Sequence, residues 1–207
     1  MAKAYRIETD RLIIRCYQPN DAYLLKQAID ESIDHLLPWM PWAKHEPESI
    51  EKKIARIRKF RGQFDLDIDY TFGIFSPDEK VCIGSTGLHP RVGDGAREIG
   101  YWISASQIGK GYASETVKAL TKIGFANENL DRIEIHCDPE NIRSQSIPQK
   151  LGYIHEASLR HRMLDTEGLP RDLMIWTMFR EDYQKSDIAH FPIKAFDFNG
   201  QSIKLLE

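Results

Sequence analysis

Residues 106–115, SQIGKGYASE, set Gly109, Lys110 and Gly111 between an apolar run and a helical pattern. Glycines let a backbone approach an anion closely, and the first turn of a helix offers unpaired N–H groups at the positive end of its dipole. Three frames compete for this turn. A nucleotide-triphosphate loop needs G-x-x-x-x-G-K-[ST], but Ser104 stands at the first glycine position and Gly111 follows Lys110, so that frame fails. A dinucleotide fingerprint finds Gly109 and Gly111 but meets Ser114 at its third small position, and it needs a parallel sheet upstream. The third frame is a strand parted from its parallel neighbour, followed by a turn whose amides face a pyrophosphate. A plain strand–turn–helix link with glycines for geometry is the bland alternative to all three.

The elements around the turn decide between them. RLIIRCY (11–17) reads as a strand that ends at Pro19-Asn20-Asp21, a helix start, with helix to about residue 31. HLLPWMPWAKHEPES (35–49) carries three prolines and two tryptophans and reads as an ordered aromatic loop rather than a helix. From Ser49, Ile50, Ile54, Ile57, Phe60 and Phe64 recur at helical spacing, giving an amphipathic helix with a basic, solvated outer face. Short β-like runs at 70–75, 80–88 and 97–104, punctuated by SPDE and GDGA, make an antiparallel meander. A helix at about 111–127, a strand at 132–138, a helix at 141–150 closed by Gly152, and strands at about 153–163 and 171–179 follow. In the tail, Asn199-Gly200 signals a type I′ hairpin. The expected class is α+β, a mixed sheet in the order β-α-α-β-β-β-α-β-α-β-β, with the meander's last strand leading through the 111–127 helix to a parallel neighbour. The expected division is one domain over 1–185 and an extension over 186–207 that packs on it or on a partner subunit.

Composition narrows the function classes. With 28 basic against 31 acidic residues the net charge is −3, which argues against a nucleic-acid binder. The N-terminal segment lacks the apolar core of a signal peptide, and no apolar run reaches membrane-spanning length. Cys16, Cys82 and Cys137 are scattered, without metal-ligand spacing, which suits a reducing cytoplasm. Exposed strands and the tail leave room for a homodimer.

Six motifs in order, ETDRLIIR with Asp21-Ala22, LLPWMPW, IGSTGLH, EIGYWI, GKGYASE and NIRSQSIPQKLGY, resemble the GNAT superfamily of N-acetyltransferases. The likeness, over roughly residues 6–180, is greatest to its RimJ/RimL branch, the ribosomal-protein N-terminal acetyltransferases. The resemblance implies that acetyl-CoA lies between two splayed parallel strands, its pantetheine arm along Trp102-Ile103-Ser104. It puts the pyrophosphate on the amides of 106–111, with Gln107, Ile108, Gly109, Lys110 and Gly111, continuing to Tyr112 and Ala113. Ser106 departs from the Gln or Arg usual at the first position. Lys110 adds a direct charge there or is merely solvated.

By the same resemblance, Asn141 bonds the pantetheine arm, caps the following helix, or does both, and Ser144 donates to the leaving sulfur or is an ordinary first-turn residue. Glu98 is the implied base, acting directly or through a water. Relatives also use a carboxylate on the strand after the second helix, where this chain has Met163, with Asp165 two residues on. A backbone N–H near Ile103 would hold the oxyanion. Trp39 and Trp42 would wall the acceptor pocket, with His89 facing the acceptor or serving the structure, while Tyr101 and Tyr153 read as core or cofactor-packing residues. The function implied is transfer of acetyl from acetyl-CoA to a primary amine, a protein N-terminus or a small molecule, by direct attack on the thioester, with no metal. Only about one lysine side chain in a thousand is neutral near pH 7, against about one α-amino group in ten, so an α-amine needs less help from a base. The alternatives are a non-catalytic acetyl-CoA-binding module, which the missing carboxylate at Met163 would suit, and a dinucleotide-binding oxidoreductase.

Overall fold

The computed structural model describes residues 2–205. Its strands are β1 (Arg6–Glu8), β2 (Ile13–Cys16), β3 (Tyr70–Phe75), β4 (Cys82–His89), β5 (Ala96–Ile103), β6 (Arg132–Cys137), β7 (Ile154–Leu164), β8 (Pro170–Phe179) and β9 (Lys194–Phe196). They form a sheet ordered β7-β8-β6-β5-β4-β3-β2-β1-β9. The helices are α1 (Ala22–Asp30), α2 (Ile33–Leu36), α3 (Ile50–Asp65), α4 (Tyr112–Ala126), α5 (Ile142–Lys150) and α6 (Arg180–Gln184).

The sheet comes apart in the middle. β5 pairs with β4 along its length, from His89↔Glu98 to Gly84↔Ile103. With its parallel neighbour β6 it shares only Ala96↔Arg132, Arg97↔Ile133 and Glu98↔Glu134. β6 then continues against β8 as far as Cys137↔Met174, so a wedge opens between the two strands beyond Glu98. Ser104 N–H bonds the Ile83 carbonyl, which fixes the register so that backbone groups of Ile99, Tyr101 and Ile103 face the wedge rather than β4.

Alternation along the strands builds a core on each face. Ile14 and Ile74 point to one face, where Val117, Leu120 and Ile123 of α4 cover them. Ile13 and Phe75 point to the other, under Leu25 and Ile29 of α1 and Ile57 of α3. The long expected helices and strands fall where the periodicity put them, and four details differ. β1 and α6 are too short to show periodicity and escape the sequence reading. The 35–49 loop contains α2's last turn and a 3-10 turn, Pro41–His45. Lys53, expected on a solvated face of α3, is fully buried and paired with Glu46 and Glu48. The turn at Asn199-Gly200 is not type I′: Asp197 N–H bonds the Gln201 carbonyl at 2.9 Å and Gly200 N–H the Asp197 carbonyl at 3.0 Å, with only Gly200 left-handed at φ 75°. Asn199 thus keeps an ordinary backbone, in a three-residue loop. β9 adds to the edge of β1, and Ile188 and Ala195 of the tail are buried against the same core as α4. Among the described residues no helix is long and apolar enough to cross a membrane, and no cluster could hold a metal ion.

Candidate active site

Two cavities enter the wedge. The first, about 480 Å³, runs from the glycine turn between β5 and α5. Gly109 and Gly111 hold φ of 77° and 80°, a conformation that other residues adopt only with strain, and Gly111 caps α4 from it. The first ladder bond of α4 is Glu115 N–H to the Gly111 carbonyl; the N–H groups from Ile108 to Ser114 have no partner among the described residues. Seven unpaired amides at a helix N-terminus fit a phosphate group. The turn is braced from behind, where Arg11 donates to the Lys110 carbonyl at 2.9 Å and to Glu115 at 2.7 Å, while Thr9 Oγ1 reaches Glu115 at 2.6 Å. Trp102, Ile103, Ile108, Gly109, Gly111, Tyr112, Ala113, Asn141 and Ser144 all line this cavity. Gln107 and Lys110 do not; they bond each other at 2.9 Å on the exposed side of the turn.

The second cavity, about 530 Å³, opens on the opposite side of the wedge and holds Trp42, His89, Glu98 and Met163. Trp42 packs on Trp102 with ring centroids 6.1 Å apart. The loop that carries it is held by the buried Lys53 between Glu46 and Glu48, and by Arg56 on Glu48 at 2.6 Å. Arg171 of β8 closes another side, 2.6 Å from Asp138 and 5.6 Å from the Trp39 ring. Glu98 is buried and receives both arms of Arg91, at 2.7 and 2.6 Å, with His136 Nδ1 at 3.5 Å. Burial pushes its carboxyl up, but Arg91 and then His136 outweigh this and hold it below the usual range. His89 Nδ1 lies 2.7 Å from Asp69 Oδ1. Burial pushes the Cys137 thiol up to about 11, so it stays protonated near neutral pH and makes a poor acyl-accepting nucleophile. Asp165 does not reach this cavity; its Oδ1 accepts Glu167 and Leu169 N–H groups at 2.8 Å and shapes the β7–β8 turn.

The cavities meet at Trp39, Met40, Tyr101, Trp102, Asn141 and Ser144, which line both. Asn141 caps α5, its Oδ1 accepting Ser144 N–H at 3.1 Å, so its side-chain NH₂ group is left for a ligand. Tyr101 Oη donates to the Ser144 carbonyl at 3.2 Å and lies 3.3 Å from Ser144 Oγ. Pro148 sits inside α5, four residues on, and has no N–H to offer that carbonyl. Burial pushes the Tyr101 phenol well above its ordinary value, so it remains a proton donor.

A family model described as an acetyltransferase (GNAT) domain matches residues 11–154. The chain belongs to the GNAT acetyltransferase family. The reaction of that family is acetyl transfer from acetyl-CoA to an amine, and the dinucleotide alternative falls with it. The chain is 28% identical over 183 residues to the [ribosomal protein uS5]-alanine N-acetyltransferase of Escherichia coli, covering 86% of this chain and 92% of that one. It is 30% identical over 175 residues to the uncharacterized N-acetyltransferase YoaA of Bacillus subtilis, covering 84% and 96%. The structure of Mycobacterium smegmatis RimJ in complex with CoA-disulfide superposes with a TM-score of 0.77 at 23% identity, covering 91% of each chain, which establishes the shared GNAT fold.

Within this fold, several residues of the site had no sequence signal strong enough to single them out. Tyr101 reads as core or cofactor-packing from sequence and lies where the cavities join; Pro148, four residues after Ser144, is the signal that could have marked its bond to α5. Asp69, Arg91 and His136 come from a loop, a turn and a strand that only the fold brings together, and no spacing would have grouped them.

Proposed function

We propose that the chain acetylates the α-amino group of a peptide or protein N-terminus, with the donor in the glycine-turn cavity and the acceptor entering from the opposite cavity. One observation carries this reading: two cavities on opposite sides of the split share Tyr101, Asn141 and Ser144. In it, the Ile108–Ser114 amides hold the donor's phosphates, the backbone of Tyr101 and Ile103 and the Asn141 amide align its arm, and a wedge-facing N–H of β5 receives the developing oxyanion. When bound, acetyl-CoA supplies an activated acetyl carbon. Ser144 Oγ holds a proton at the junction for the departing sulfur. Trp39 and Trp42 wall the acceptor, and Glu98, kept ionised by Arg91, attracts an incoming ammonium. The α-amine preference rests on its larger neutral fraction and on the acceptor named for the E. coli relative. Three free, buried cysteines support a reducing, cytoplasmic setting.

A screen of acetyl-CoA turnover against peptides of varied first residue, free lysine and small amines tests this. Peptides turned over at least ~10-fold faster than side-chain amines are the expected result. Turnover confined to small amines would overturn the peptide assignment, and tight CoA binding with no turnover on any amine would overturn the catalytic one.

A further inference from the structure

The proposed reaction, on which this inference rests, must strip a proton from the acceptor ammonium, and Glu98 is poorly built for the task. Both of its oxygens accept from Arg91, and its Oε2 also faces His136. A carboxylate so committed, with its affinity for protons lowered, orients and attracts more readily than it takes a proton. We infer that His89, held by Asp69, is the base, and that it takes the proton at Nε2.

Three observations support this. First, Asp69 Oδ1 is 2.7 Å from His89 Nδ1, and an ionised carboxylate only accepts, so Nδ1 carries a hydrogen and Nε2 is the nitrogen left to exchange a proton. Burial raises the Asp69 carboxyl's proton affinity, but the bond from His89, with the Tyr70 N–H and the Arg91 charge, outweighs it and keeps the group ionised. Second, the ring is folded back along β4 over Gly87, where a Cβ would lie only 2.2 Å from Nε2. Gly87's cross-strand partner is Gly100, where a Cβ would stand 3.5 Å from the same nitrogen. This pair of glycines makes a bed for the imidazole and sets Nε2 level with Gly100, the residue next to Tyr101, where the two cavities join. Third, the His89 side chain keeps 17% of its surface accessible and lines the acceptor cavity, so a substrate can reach it.

The charged groups around the ring are Asp69 from the segment before β3, Arg91 from the turn after β4 and Glu98 from β5, with His136 of β6 beyond Glu98. Asp69 stabilises an imidazolium, and the charges of Arg91 and Glu98 offset one another. In the step itself, an N–H bond of the acceptor ammonium breaks and an Nε2–H bond forms. The neutral amine is left free to attack, and the imidazolium, paired with Asp69, returns the proton to water through the open cavity.

The test compares wild type, His89→Gln, Asp69→Asn and Glu98→Gln. It combines ¹⁵N NMR of the ligand-free protein with pH profiles of kcat/KM on a peptide with a free N-terminal alanine. The expected NMR result is a neutral ring protonated at Nδ1, with the tautomer mixture shifting in Asp69→Asn. His89→Gln should lose ~100–1,000-fold in kcat/KM together with the acid limb of the profile, and bind CoA within ~2-fold of wild type. Glu98→Gln should lower the rate but keep that limb. Added imidazole should restore part of the activity of His89→Ala, a response that a purely structural histidine would not give. A ring protonated at Nε2, or a His89→Gln protein that keeps the acid limb and more than a tenth of the rate, would overturn the assignment. A wild type inert towards every amine would overturn the catalytic reading instead, and the NMR tautomer would still decide the state of the dyad.

Discussion

The donor cavity and the acceptor cavity lie on either side of one split in the sheet, yet they are made of different material. The donor side offers its polar contacts chiefly from main chain, set among side chains such as Leu36, Tyr112 and Ile147: among the described residues, seven free amides, two left-handed glycines and the unpaired edge of β5. The acceptor side is side chains drawn from the aromatic loop, β3's approach, β4, β5, β6 and the β7–β8 hairpin, tied by the ion pairs Arg91–Glu98 and Arg171–Asp138 and by the His89–Asp69 bond. A seat of backbone amides recognises what every donor molecule shares. A chamber of side chains can be re-cut one residue at a time, which is how members of one fold serve different acceptors.

If that contrast holds, variants on the two sides should fail in different ways. The largest effect is expected at the support of the aromatic loop: Lys53→Met leaves the buried Glu46 without its cation while Glu48 keeps Arg56, which costs about 3–5 kcal/mol and lowers the melting midpoint by roughly 10 °C or more. A fall of a degree or two in a thermal melt would mean that the carboxylate finds water instead. Next comes the donor seat. Gly111→Val forces a branched side chain into a left-handed backbone, a strain of about 1–3 kcal/mol, and CoA affinity measured by calorimetry should drop ~10–100-fold. Unchanged affinity would show that the amides are not the seat. Trp42→Ala removes the packing on Trp102 and should raise the acceptor KM ~10-fold while CoA affinity stays within ~2-fold; a matched loss of both would erase the distinction between the sides. The smallest effect is predicted for Lys110→Ala, under ~3-fold in CoA affinity, because that side chain is bonded to Gln107 away from the cavity. A larger loss would give the lysine the direct charge that the backbone account denies it.

The same difference in material explains what could be read from the chain. Glycines at fixed spacing before a helix, an asparagine at the next helix start and a meander before both are local patterns, so the donor side was legible at the level of single residues. Thr9, Arg11 and Glu115 were present in two quoted motifs, but their bonds to one another, behind the turn, span more than 100 positions and carry no local signature. Lys53 looked like one more solvent-facing lysine because helical periodicity reports a face and not the carboxylates that a preceding loop folds over it. Asp69, Arg91 and His136 stand on separate elements, and the register of β4 on β5 and of β5 on β6 is what collects them. Short β1 and α6 lacked the length for any period to show.

Pro148 has one more consequence. By withholding a hydrogen from the Ser144 carbonyl, it obliges helix α5 to borrow one from Tyr101 on β5. Strand β5 and helix α5, which flank the donor cavity, are thereby bolted together by a bond of 3.2 Å, three residues along β5 from the last pair that joins it to β6. The aperture is gauged at both ends, and any motion that widened it would have to break the bolt before a ligand arrived. A residue usually regarded as a helix breaker here sets the tie between strand and helix at the place where the two cavities join.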